Sequence, residues 1–114
     1  LDDKTRGLVD AGSIKTMKDG VVIINCARGE VVDTDALAAA LHSGKVGRYG
    51  ADVLEGEPPP SDHPLCSTPN TAITTHIGSR TYESVVRQAT KATQNAINFD
   101  KGVPPVAQAN VLPE

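Results

Sequence analysis

Val21-Val22-Ile23-Ile24 runs directly into Asn25-Cys26-Ala27-Arg28-Gly29-Glu30. Four β-branched residues without alternation read as a short strand buried on both faces, the pattern of a parallel sheet covered by helices. The polar knot after it reads as the loop at that strand's carboxyl end. Upstream, Asp10 is placed to cap a helix running to about Lys18, with Ile14 and Met17 three apart on one face and Gly20 just past its end. Downstream, Asp33 caps a second helix that carries Ala36, Leu37, Ala40 and Leu41 on one side and stops at Ser43-Gly44.

Further along, a second strand is expected over Tyr49 to Leu54. A Pro-rich stretch follows, from Glu57-Pro58-Pro59-Pro60 to Pro69, and is read as neither helix nor interior strand. Thr71 to Thr75 reads as a third strand ending at His76. Val85, Ala89, Ala92, Ala96 and Phe99 recur at helical steps behind Glu83, and Gly102 with Pro104 ends that helix. Residues 103–114 read as an extended, Pro-containing tail. The order of elements is that of an α/β sheet. Strands two and three can pair either way, since the segment between them has the dozen or more residues a parallel crossover needs.

The chain has 114 residues, room for one small domain. With 39% hydrophobic and 22% charged residues it is neither disordered nor membrane-embedded. Aromatics are 3% (Tyr49, Tyr82, Phe99, no Trp), so the core is expected to be aliphatic. A net charge of −3, with scattered basic residues and no interleaved aromatics, argues against nucleic acid as a partner. The longest apolar run falls far short of the ~20 residues of a membrane helix, and no signal segment opens the chain. Cys26 and Cys66 fit no metal-ligand spacing, so a reduced, cytoplasmic chain is expected, with no metal. The chain opens on Leu1-Asp2-Asp3-Lys4 without Met and reads as part of something longer. It contains no G-x-G-x-x-G.

If the sheet is parallel, Arg28, Asp52 and His76 stand at or just beyond the carboxyl ends of successive strands. Neighbouring strands are ~4.8 Å apart, so three ends span about 10 Å at the edge where open α/β sheets bind ligands. With Glu57 they form the inventory for an anionic substrate and a proton transfer: Arg to clamp a carboxylate, His to move the proton, a carboxylate to orient the His. Each also has a plainer reading: Arg28 as a solvated loop charge, Asp52 as a turn cap, Glu57 as an exposed residue before prolines, His76 as a residue at a helix entry. His42, in the last turn of a helix, needs no function. His63 reads as a surface residue of the Pro-rich loop.

At these residues the sequence resembles the D-isomer-specific 2-hydroxyacid dehydrogenases. The resemblance is carried by Thr5-Arg6-Gly7-Leu8-Val9-Asp10, Met17-Lys18-Asp19-Gly20, Ile24 to Asp33, Ala51-Asp52-Val53-Leu54-Glu55-Gly56-Glu57-Pro58, Pro64-Leu65, Pro69-Asn70 and His76-Ile77-Gly78-Ser79. It implies the C-terminal half of a doubly wound parallel, Rossmann-like sheet with flanking helices. Residues 1–102 would be the C-terminal part of an NAD-binding domain, and residues 103–114 a tail returning toward a substrate domain. The implied activity is NAD-dependent interconversion of a D-2-hydroxy acid and its 2-oxo acid, NADP not being excluded, by a full-length homodimer. Arg28 falls on the family's substrate-carboxylate arginine and Glu57 with His76 on its acid–base pair. Asp52 falls on the aspartate at the nicotinamide side of the cofactor. Thr5, Cys26, Ala27, Arg28, His76, Gly78 and Ser79 fall on other cofactor-contacting positions. Two residues depart from the family pattern: Thr75 stands where Pro is usual before the His, and Arg48 where Gly is common. The rival expectations are a non-catalytic binding or assembly module that keeps the half-fold, and a small standalone enzyme of unrelated activity.

Overall fold

A computed structural model describes residues 1–106. The chain divides into two compact units, one over Leu1–Gly78 and one beginning at Ser79. In the first, three strands lie in the order β1 (Val21–Asn25), β2 (Val46–Ala51), β3 (Thr71–Ile73), and both pairings are parallel. The pairing left open by the pattern is therefore parallel. All three carboxyl ends face the same edge.

Local signals explain the elements. Helix α1 (Ala11–Thr16) starts at Asp10, whose carboxylate accepts from Ser13 N–H at 2.7 Å while the Ser13 hydroxyl accepts from Asp10 N–H at 2.9 Å, a reciprocal capping box. Helix α2 (Thr34–Ser43) is capped by Asp33 on Ala36 N–H at 2.9 Å and ends at Gly44, whose φ of 77° only glycine adopts cheaply. Leu37, Ala40 and Leu41 of α2 pack with Ile14, Val46 and Leu65 into one core beneath the sheet.

Several expectations change. β2 begins at Val46 rather than Tyr49 and stops at Ala51. Gly47 and Arg48 hide its start in the sequence, yet Val46 is fully buried and pairs with Val21. Gly47 is there because a Cβ would lie 2.6 Å from the Gly20 carbonyl oxygen. β3 is shorter than expected, ending at Ile73. The Pro-rich stretch contains a short helix, α3 (Pro64–Ser67), because Pro at the first helical position forfeits no hydrogen bond. Its N-cap is His63, which is buried rather than on the surface, its Nδ1 accepting from Leu65 N–H at 3.3 Å. Finally, β1 is not buried on both faces. It is an edge strand among the described residues, with Val22 and Ile24 57% and 73% exposed. The core is aliphatic except for Tyr49, which is 2% exposed and whose phenol burial pushes its pKa up.

The second unit holds helix α4 (Tyr82–Asp100), capped by the Thr81 hydroxyl on Ser84 N–H and closed by Gly102 at φ 65°. The expected tail beyond it lies outside the described residues from position 107 onward. No helix among the described residues is long and apolar enough to cross a membrane.

Candidate active site

The loop after β1 is shaped by a residue that sequence reasoning passed over. Asn25, the last residue of β1, is 6% exposed. Its side-chain oxygen accepts from Ala27 N–H at 3.0 Å and its Nδ2 donates to the Arg28 carbonyl at 2.8 Å. These bonds close the 25–28 loop on itself and lift Cys26, Ala27 and Arg28 outward, all exposed. The signal was a polar residue ending an apolar strand, where an unpaired amide would be costly. The Arg28 guanidinium folds back on the Ala27 carbonyl at 2.6 Å.

The loop after β2 meets this one backbone to backbone. A Cβ on Gly29 would sit 2.0 Å from the Leu54 carbonyl carbon and 2.1 Å from Glu55 N, so only glycine admits the contact. Glu57 lies at the far end of that second loop, its Oε1 accepting from Leu54 N–H at 3.2 Å.

His76 follows β3 with φ 59°, in the left-handed region. Its Nδ1 lies 2.6 Å from Glu57 Oε2, and both side chains are partly open to solvent. That hydrogen bond, helped by Leu54 N–H and the positive charge of Arg28, holds the Glu57 carboxyl below the usual range against the cost of desolvation. Glu57 therefore stays a carboxylate, fixing one imidazole nitrogen and leaving Nε2 for another partner. An open, largely apolar cavity of about 320 Å³ adjoins the pair, lined among others by Leu54, Pro58, Cys66 and Ile73.

Asp52, directly after β2, is buried. Its Oδ1 accepts from the Thr74 hydroxyl at 2.5 Å and Ile77 N–H at 2.9 Å, and its Oδ2 from Gly78 N–H at 2.8 Å. Thr74 and the two amides hold its carboxyl below the usual range, with the His76 charge adding to the effect. Thr74 was read only as part of a strand, and nothing in the sequence marks it out. A carboxylate offers about four acceptor positions, so one remains.

Arg28, Asp52, Glu57 and His76 thus belong to the loops at the three carboxyl ends, as the spacing anticipated. Thr5 lies in an N-terminal turn, where its hydroxyl donates to Asp2 at 2.8 Å. That segment is fastened to the 29–32 turn by Gly7 N–H on the Glu30 carbonyl at 2.9 Å and Val9 N–H on Val31 at 3.0 Å. Ser79 opens the second unit, where its carbonyl accepts from Gln88 at 3.2 Å. Among the described residues no three His, Cys, Asp or Glu side chains stand together as a metal site.

Comparison with known proteins gives the following. Residues 1–78, the first compact unit, match the family model described as D-isomer specific 2-hydroxyacid dehydrogenase, NAD binding domain. The chain is 43% identical over 102 residues to glyoxylate/hydroxypyruvate reductase B of Citrobacter koseri, covering 90% of this chain and 32% of that protein. NAD-dependent formate dehydrogenase from Staphylococcus aureus, solved in complex with NAD, superposes with a TM-score of 0.87 at 31% identity, covering all of this chain and 35% of that one. A D-isomer specific 2-hydroxyacid dehydrogenase from Xanthobacter autotrophicus, in complex with NADPH and MES, gives 0.83 at 35% identity, covering 96% of this chain and 45% of that one. The chain spans about a third or less of the length of the curated relatives it matches.

Proposed function

The chain belongs to the D-isomer-specific 2-hydroxyacid dehydrogenases through their NAD-binding domain, and from that membership we propose that it supplies the proton-transfer and carboxylate-binding half of a dehydrogenase site. The reaction is interconversion of a D-2-hydroxy acid and its 2-oxo acid. The observation that carries this reading is the 2.6 Å His76–Glu57 pair set at the same sheet edge as Arg28.

The residues present suit the nicotinamide end of the cofactor. Asp52 keeps one free acceptor position of the kind an amide N–H takes, and Cys26 and Ala27 are exposed just beyond the neighbouring strand end, whose Asn25 carbonyl accepts from Asp52 N–H at 3.1 Å. Gly78 and Thr5 are the other contacts proposed within the first unit. When bound, NAD supplies or takes up the hydride. Arg28 turns from the Ala27 carbonyl to hold the substrate carboxylate in a two-pronged hydrogen bond. His76 presents Nε2 to the oxygen on C2, giving it a proton during reduction and taking one during oxidation. Glu57 holds the ring through Nδ1 and stabilises its charged form.

Within this reading, residues 1–102 are the C-terminal part of the NAD-binding domain of a cytoplasmic homodimer. The test is reduction of glyoxylate, pyruvate and hydroxypyruvate by the natural gene product carrying this sequence, with NADH and NADPH in parallel, followed by nicotinamide absorbance. Turnover that His76→Gln abolishes supports the reading. Tight NADH binding without turnover on any 2-oxo acid would instead identify a binding module.

A further inference from the structure

We propose that Thr74 is a positioning residue for His76, acting through Asp52 as a latch that closes the 74–78 loop. This rests on the reading of His76 as the proton-transfer group, but the observations behind it are independent of that reading. One buried carboxylate gathers three donors, the Thr74 hydroxyl two residues before His76 and the Ile77 and Gly78 amides directly after it. The five-residue segment is thereby drawn around a single charge with His76 at its crest.

His76 sits at φ 59°, a conformation that L-residues other than Asn, Asp and His seldom adopt. His is among the residues that tolerate this region, and the bonds around it select it over the commoner right-handed and extended forms. Glu57 holds only the ring; Asp52 holds the backbone after it, through the Ile77 and Gly78 amides, and the Thr74 side chain before it. Two further features fix the latch. Thr74 N–H donates to the Ala51 carbonyl at 2.8 Å, anchoring the segment to the end of β2 next to Asp52 itself. Gly78 approaches so closely that a Cβ there would lie 2.9 Å from Asp52 Oδ2. The carboxylate is thus seated against backbone on one side and the Thr74 hydroxyl on the other.

Removing that hydroxyl frees one acceptor position on Oδ1 in a buried place, where the carboxylate must find another donor. The carboxylate then turns, and the Ile77 and Gly78 amides lose their common partner. His76 is released from its set position and its bond to Glu57 is disturbed, while the 25–28 loop that carries Arg28 keeps its own hydrogen bonds. A misplacement on the order of 1 Å at a proton-transfer group costs up to about 10²-fold in rate.

The experiment compares Thr74→Val, nearly isosteric but without the hydroxyl, and Thr74→Ser, which keeps it, in the natural gene product. Amide hydrogen exchange at Ile77 and Gly78 is read alongside kcat and KM for the 2-oxo acid. The expected result for Thr74→Val is exchange at those two amides faster by at least about tenfold and kcat lower by about tenfold or more, with KM within about threefold. Thr74→Ser should restore both. If Thr74→Val leaves exchange at both amides at the parental rate, the latch does not exist. If exchange quickens but kcat is unchanged, the latch does not position His76. If the parent reduces no 2-oxo acid at all, the assignment of the reaction fails, while the exchange result still tests the latch.

Discussion

Gly29→Ala is the substitution whose consequence follows most directly from the packing of the two loops. The added Cβ would stand 2.0 Å from the Leu54 carbonyl carbon, 2.1 Å from Glu55 N and 2.3 Å from Leu54 O, whereas real Cβ contacts essentially never fall under 3.0 Å. All three atoms are backbone, so no side chain can swing aside. The two loops must part by at least about 1 Å at their point of contact. Forcing extra volume into such a place costs typically ~1–3 kcal/mol of stability. Arg28 is on one of the loops and Glu57 on the other, so the same movement separates the proposed carboxylate clamp from the proposed acid–base pair. A displacement of that size is expected to lower kcat/KM for a 2-oxo acid by about 10²-fold. The assay is urea unfolding together with steady-state kinetics on the natural gene product. Gly50→Ala serves as the control, since the nearest atom to its new Cβ is 3.7 Å away, an ordinary contact. Parental stability and turnover in Gly29→Ala would refute the claim that this backbone contact sets the two loops.

Glu57→Gln removes a carboxylate held below its usual pKa by the His76 hydrogen bond. A lowered carboxylate contributes stability above its unfolded pKa of about 4.3 and loses it as pH falls through the lower folded value. Parent and variant should therefore differ most near neutrality and converge in acid; a stability gap unchanged down to pH ~2 would contradict the pairing. Leu37→Ala empties a position with no exposed surface in the core beneath the sheet and should cost ~2–5 kcal/mol in urea unfolding, a loss under ~1 kcal/mol being contrary to the packing. This chain made alone should self-associate, because β1 has no partner on its outer edge among the described residues and exposes Val22 and Ile24. Light scattering after size exclusion checks this, and a stable monomer at micromolar concentration would count against it.

The capped helices and the sheet edge were legible because their signals are local. Asp10 and Asp33 sit where orphan amides need an acceptor, and Arg28, Asp52 and His76 follow apolar runs at intervals that parallel strands bring together. The start of β2 was hidden because Gly47 and Arg48 interrupt its apolar run, and Gly47 is set by a neighbouring backbone that no local pattern reveals. His63 looked like a surface residue among prolines, and only the turn into α3 buries it. The two-sided burial expected of β1 failed because covering both faces and edges of a strand depends on partners, not on the strand's own residues. Asn25 could have been found from its place at the end of an apolar strand. Thr74 could not, since its role depends on a carboxylate more than twenty positions away. The roles proposed for Arg28, Glu57 and His76 were readable as an inventory at one sheet edge and were made specific by the family resemblance; the structure brings the three loops to that edge.

The central claim is that Arg28, Glu57 and His76 act together on one 2-oxo acid. Arg28→Lys tests it most directly, because it keeps the charge and removes the planar fork. The measurement is kcat/KM for 2-oxo acid reduction by the natural gene product, with NADH affinity determined by titration on the same preparation. The expected result is a fall in kcat/KM of at least ~10²-fold with NADH affinity changed by no more than about threefold. Near-parental turnover on a 2-oxo acid would contradict it and leave Arg28 a charge on a loop.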